Sequence, residues 1–243
     1  PTAAPTLPPP APAPSPTPAP TERLAPGFVQ AAVGLGTKNY NEFSAGQFCN
    51  SYLVSGAYEF GGQSNSTFAV KVDYRYDSYV TSSNLTDSFG NQYTRFATID
   101  GGTAFAPVFL GAQSTLDARV EYQIATPRIY VGAGYLYASN NYGYPHLSGF
   151  GVGVEKLPDL RPGINFYGSA FYYPSVSGNY TVSSPTSSNL GKVYQQRYGI
   201  VKADIGLALA WQRFPVYLYA GYGGDRYYAK QNAPIGQIHA GPY

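Results

Sequence analysis

The sequence predicts an all-β fold: an up-and-down antiparallel β-barrel of about ten strands behind an extended Pro-rich arm. Three observations carry this expectation. Apolar and polar residues alternate strictly through several long segments. Short and long connections between those segments alternate as well. The 243-residue chain is 16% aromatic and only 12% charged, with 25 Tyr, 28 Gly and 21 Pro, a composition that suits strands and turns rather than helices.

The chain divides at Gly27. Residues 1–26, "PTAAPTLPPPAPAPSPTPAPTERLAP", show no apolar periodicity. Their prolines, Pro8, Pro9, Pro10, Pro12, Pro14, Pro16, Pro18 and Pro20 among them, favour polyproline II, which rises about 3.1 Å per residue. Composition alone suits a flexible spacer, but such a segment also docks into aromatic-lined grooves at low entropic cost, and a partner-docking arm reaching a neighbouring subunit or another component is expected. Residues 27–243 are expected to form the barrel.

Alternation is clearest in three segments. In "STLDARVEYQIA" the apolar Leu116, Ala118, Val120, Tyr122 and Ile124 oppose Thr115, Asp117, Arg119, Glu121 and Gln123. In "STFAVKVDYRYDSY" Phe68, Val70, Val72, Tyr74 and Tyr76 oppose Ala69, Lys71, Asp73, Arg75 and Asp77. In "YGIVKADIGLALAWQ" Val201, Ile205, Leu207, Leu209 and Trp211 oppose Lys202, Asp204, Gly206 and Ala208. Successive side chains of a strand point to opposite faces, so each segment has one apolar and one polar face. Weaker alternation marks strands near 29–35, 48–60, 129–137, 150–154, 164–172 and 216–222, and a short last one near 235–243. Each is expected to be close to the 9–11 residues with which a tilted strand crosses a bilayer.

The connections "GGQSNS", "ATPR", "KLPDLRPG" and "QRFP" are short, whereas "TKNYNEFSAGQ", residues 80–113 and residues 174–196 are long and polar. Up-and-down order then gathers the long loops at one end and the turns at the other, with both termini at the turn end. Aromatic residues fall at the same two levels. Tyr74, Tyr76, Tyr79, Tyr135, Tyr137, Tyr172, Tyr173, Tyr227 and Tyr228 lie near the long loops; Phe28, Phe60, Phe166, Trp211 and Phe214 lie near the turns. Two such belts are what the two interfaces of a membrane select.

A soluble sheet turns its apolar face inward, and a lipid-embedded barrel reverses that order. The charged positions share their face with Gly and Ala, the opposite face is bulky and aromatic, and connection lengths are asymmetric, so the reversed order is expected. On these features residues 27–243 resemble the outer-membrane β-barrel proteins of Gram-negative-type bacteria, and Tyr243 resembles the aromatic residue on which such chains often end. The resemblance is to an architecture and implies an exported protein of the outer membrane or cell surface.

The reversed order places Lys71, Asp73, Arg75, Asp77, Asp117, Arg119, Glu121, Glu155, Lys202 and Asp204 inside, as a lumen charge network. The structural expectation is a paired polar core. The functional alternative is a narrow passive pore, of little selectivity because the signs are balanced. A third reading is a barrel subunit of an extracellular filament, its outer face covered by other subunits.

No enzyme is expected. The two histidines, His146 and His239, have no spacing to a nucleophile or carboxylate, although His146 is within loop reach of Asp87 or Asp100. The Gly-rich "VGLG", "GFGVG" and "GYGG" open no phosphate-binding helix and read as sites of tight packing. No cofactor or metal is expected: Cys49 is the single cysteine, so neither a disulfide nor a zinc spacing is available. A net charge of +2 and a pI of 8.6 are too mild for a nucleic-acid surface. No stretch approaches the apolar length of a membrane-spanning helix. A chain that begins on Pro and holds no Met is expected to be a mature exported product.

Overall fold

A computed structural model describes residues 28–40, 47–61, 67–81, 85–97, 103–141, 143–159, 161–183, 187–211 and 216–234. All regular elements among them are strands. They are β1 (Phe28–Tyr40), β2 (Gln47–Gly61), β3 (Thr67–Val80), β4 (Leu85–Thr86), β5 (Gln92–Ala97), β6 (Thr103–Pro107), β7 (Leu110–Ala125), β8 (Ile129–Asn140), β9 (Leu147–Lys156), β10 (Gly163–Thr181), β11 (Val193–Ala210) and β12 (Tyr217–Pro234). The Pro-rich arm, with Pro8 to Pro20, and the expected last strand near 235–243 lie outside the described residues.

Nine strands form one antiparallel sheet in the order β1-β2-β3-β7-β8-β9-β10-β11-β12, so chain order and spatial order agree. β3 and β7 pair directly across their long connection, from Phe68↔Tyr122 to Val80↔Leu110. The sheet curls, since side chains of strands far apart in this order meet across one face: Lys71 of β3 with Glu155 of β9, Lys202 of β11 with Asp117 of β7, and Arg75 of β3 with Asp225 of β12. Its two edges also approach. A Cβ at Gly34 of β1 would lie 2.6 Å from the Tyr219 hydroxyl of β12. Among the described residues no ladder joins β1 to β12. In a nine-strand antiparallel order the first and last strands run the same way, so β1 enters at the turn end and β12 leaves at the long-loop end. The expectation of both termini at the turn end therefore rests on residues 235–243.

Two long connections hold more structure than expected. Residues 80–113 contain β4, β5 and β6, a second three-stranded sheet. It is tied to the first by the buried Thr94 hydroxyl, which donates to that of Thr81 at 2.8 Å. Residues 174–196 are mostly strand, because β10 and β11 continue as a ladder to Thr181↔Val193. Pro174, which reads as a strand terminator, falls at the register shift between Tyr173 and Val176, where a missing N–H costs no ladder bond. For the same reason the strands are longer than expected, with 19 residues in β10 and 18 in β11.

Polarity is reversed relative to a water-soluble sheet. On β7, Asp117, Arg119 and Glu121 are buried, while Val120 and Ile124 stand 58% and 55% exposed. The neighbouring strands continue the apolar outer face with Val29, Val33 and Leu35 on β1, Val54 on β2, Phe150 and Val152 on β9, and Ile205 and Leu207 on β11. A row of rings crosses it near the turn end, where Tyr58 stacks on Phe60 and Phe60 on Phe68, with centroids 5.8 Å apart in each pair, and Tyr122 meets Phe68 in a tilted contact at 5.2 Å. Tyr74, Tyr135, Tyr137, Tyr172 and Tyr228 stand outward near the other end. Tyr79 and Tyr173 do not: both are buried on the inner face, and Tyr227 shares the inward register of Ile200. Phe28 and Phe214 have side chains outside the described residues.

Candidate functional site: the inner charge network

Parity on four strands delivers the charges to one face. Opposed residues of a ladder point the same way, so the rungs Lys71↔Arg119 and Asp73↔Asp117 bring two cations and two carboxylates side by side. Arg119 is the hub. Its Nη2 donates to Asp117 at 2.8 Å and its Nη1 to Glu155 at 3.0 Å, with Asp73 at 3.7 Å, and the guanidinium lies 4.2 Å above the Phe171 ring. Lys71 pairs with Glu155 and, at 3.5 Å, with Asp73. Asp117 accepts further bonds from the Lys202 ammonium at 2.8 Å and from the Tyr173 hydroxyl. Burial of this kind is tolerable only when each charge has a partner.

Serines complete it. Ser51 donates to Asp77 at 2.6 Å, Ser55 to Asp73, and Ser169 to Asp204, each from the directly opposed position of the neighbouring strand. Arg75 reaches across to Asp225 at 3.4 Å. Glu121 is buried where Gly132 leaves room: a Cβ there would sit 2.7 Å from the Glu121 Cγ. Its carboxylate oxygens meet no donor among the described residues. The structure thus gathers Lys71, Asp73, Asp117, Arg119, Glu155 and Lys202 into one cluster and sets Arg75, Asp77, Glu121 and Asp204 around it.

A second group closes the turn end. Arg128, in the turn between β7 and β8, donates its Nε to Glu59 at 3.3 Å, pairs through Nη2 with the same carboxylate, and donates Nη1 to the Pro158 carbonyl. Tyr130 donates to Glu59 at 2.7 Å. Sequence reasoning passed over all three residues. Glu59 shares the inward parity of Ser51 and Ser55, so the alternation of β2 was a usable signal. Arg128 lies in a turn, where alternation has no meaning, and no pattern marks it.

Glu59 and Asp225 join the acids and Arg128 the bases of an inward set that already holds six acids and four bases, so the signs are not balanced and inward acids outnumber inward bases among the described residues. Chemically the site is a set of paired ions around Arg119, with the buried Glu121 carboxylate beside them meeting no donor among the described residues. His146 stacks on Tyr137 with centroids 5.8 Å apart, while the Asp87 carboxylate is occupied by Asn91, Phe89 and Tyr93; Asp100 and His239 lie outside the described residues. No group of three or more His, Cys, Asp or Glu among the described residues is placed to hold a metal. The chain matches no model of a known protein family, no curated protein and no solved structure.

Proposed function

We propose that this chain is a non-enzymatic, structural β-barrel of a bacterial outer envelope, resting with its apolar face in lipid and with its charge network as an interior cross-brace. One observation carries the reading: the apolar side chains stand outward and the ions inward. Exposing so continuous an apolar face to water is unfavourable at roughly 25 cal/mol per Å², and lipid removes that cost. The height fits as well. On β11 and the residue that follows it, the outward apolar residues run from Val201 to Trp211, about 33 Å along a strand and about 25 Å when tilted as barrel strands are, the height of a lipid-facing band.

In this reading the barrel closes through one further strand, because an antiparallel closure needs a strand running opposite to both β12 and β1. The Pro-rich arm docks on a neighbouring subunit or another envelope component. A narrow cation-preferring pore is the second reading, supported by the excess of inward acids.

The test is reconstitution of the refolded chain, beside one starting at Gly27, into phosphatidylcholine vesicles and without lipid. Protease-protected strands, heat-modifiable migration and no single-channel conductance are expected in vesicles. Ordered detergent-free filaments of the full-length chain alone would instead favour an extracellular subunit whose outer face is covered by its copies, and stepwise cation conductance would favour the pore.

A further inference from the structure

The outward positions of β10, β11 and β12 carry charge in only one place, and it is of one sign. Arg226 stands on the rung Tyr172–Val201–Arg226, where the apolar outer stretch of β11 ends. Arg197 lies two outward positions further along β11, and Lys230 sits beside it at the register shift of β12. The only acids of these strands, Asp204 and Asp225, both have inward partners, in Ser169 and Arg75. No carboxylate therefore faces the three cations from their own strands.

The cations are also held in place. The Arg226 guanidinium carbon is 5.1 Å from the centre of the Tyr228 ring. The Lys230 stem crosses Gly199, where a Cβ would lie 3.1 Å from its Cε, and its ammonium donates to the Pro174 carbonyl at 2.7 Å. Arg197 keeps an Nε–H with no acceptor among the described residues. Tyr172 and Tyr228 flank the group, both outward and nearly half exposed.

We infer that this sector binds the phosphate of an anionic lipid headgroup at the long-loop interface of the bilayer. The inference rests on the lipid-facing reading above. Its warrant is charge complementarity at one height: the apolar band ends, aromatic rings begin, and Arg and Lys stand outward with no counter-ion among the described residues. Each such cation near a charged membrane surface strengthens lipid binding about fivefold. Arg226 and Arg197 offer planar donor forks suited to phosphate oxygens, and Lys230 adds a point charge.

Brominated lipids test it. Trp211, half exposed at the turn end, reports insertion in the unaltered chain. A Tyr228→Trp, Trp211→Phe variant reports the sector. In vesicles of phosphatidylcholine with phosphatidic acid, brominated phosphatidic acid should quench the new tryptophan more strongly than brominated phosphatidylcholine does. Removing the cations by Arg197→Gln, Arg226→Gln and Lys230→Gln should erase that preference, by about fivefold in apparent affinity for each. Equal quenching by the two lipids, with Trp211 still quenched, overturns the inference alone. No quenching of Trp211 by either lipid overturns the lipid-facing reading itself. Loss of the preference on adding inorganic phosphate shows a site for free anions and overturns the lipid assignment.

Discussion

Lys202 and Asp117 meet at 2.8 Å although β8, β9 and β10 separate their strands in the sheet. Backbone ladders join only adjacent strands, so contacts of this kind hold the curl. Removing one partner of a buried pair leaves an uncompensated charge and costs about 3–5 kcal/mol. Asp117→Ala is expected to destabilise by that amount, because Lys202, Arg119 and Tyr173 lose a shared acceptor. The pair Asp117→Ala, Lys202→Met should recover part of it. Urea denaturation of the refolded protein measures both, and an Asp117→Ala variant as stable as the parent would remove the cross-brace from the account.

Val120 discriminates lipid from water as the outer solvent. It is 58% exposed at the middle of β7, and in water such a position accepts Arg almost without cost. At a bilayer midplane the same change costs about 2–4 kcal/mol. Val120→Arg should therefore weaken folding into vesicles, whereas Gln92→Arg, on the exposed small sheet, should not. Equal stabilities of the two variants in vesicles would argue that this face does not meet lipid.

The faces were legible in the sequence because alternation has a period of two and needs no knowledge of neighbours. Lys71, Asp117, Arg119 and Lys202 were placed by it. Which of them touch was not legible, since Lys71 finds Glu155 only through the curl of the sheet. Tyr173 was misplaced because a tyrosine is at home in either setting: its ring suits an interface, and its hydroxyl equally suits Asp117 inside. The small sheet was missed because β4, β5 and β6 have 2, 6 and 5 residues, too few for alternation to show.

Glycines on β9 make room for inward rings, which bears on the tight packing expected of "GFGVG". A Cβ at Gly153 would lie 2.3 Å from the Ala170 carbonyl oxygen and 2.5 Å from Phe171 Cγ. A backbone carbonyl within a ladder cannot retreat, so Gly153→Ala should destabilise by about 1–3 kcal/mol. Gly36→Ala, with nothing within 4 Å, is the matched control and should be neutral. Chemical denaturation of the two variants side by side decides it.

Asp87 governs the turn ahead of β5. A hydrogen bond from the Asn91 side chain, helped by the backbone N–H groups of Asn91 and Phe89, holds its carboxyl below the usual aspartate range. A depressed folded value means that the turn is stabilised above the unfolded pKa, and that this is lost as pH falls through the folded one. Amide exchange at Phe89 and Asn91 should therefore accelerate, relative to other exposed amides, only below the ordinary aspartate range. Asp87→Ala should show the faster exchange already at neutral pH. Unchanged exchange in that variant would mean that Asp87 does not order the turn.

Arg128 sets two effects against each other. Its φ of 51° is a left-handed conformation that costs a non-glycine residue roughly 1–2 kcal/mol, so Arg128→Gly relieves the backbone. The same change strips the guanidinium from Glu59, which is only 1% exposed, and a buried carboxylate left without its cation costs about 3–5 kcal/mol. The lost ion pair outweighs the relieved backbone. Arg128→Gly should therefore be destabilising, and Glu59→Gln added to it should restore much of the loss, since the amide keeps a group for the Tyr130 hydroxyl to bond without a charge. A thermal unfolding comparison of parent, single and double variants in one detergent tests this, and a stabilised Arg128→Gly would show that the turn end is held by its backbone rather than by the ion pair.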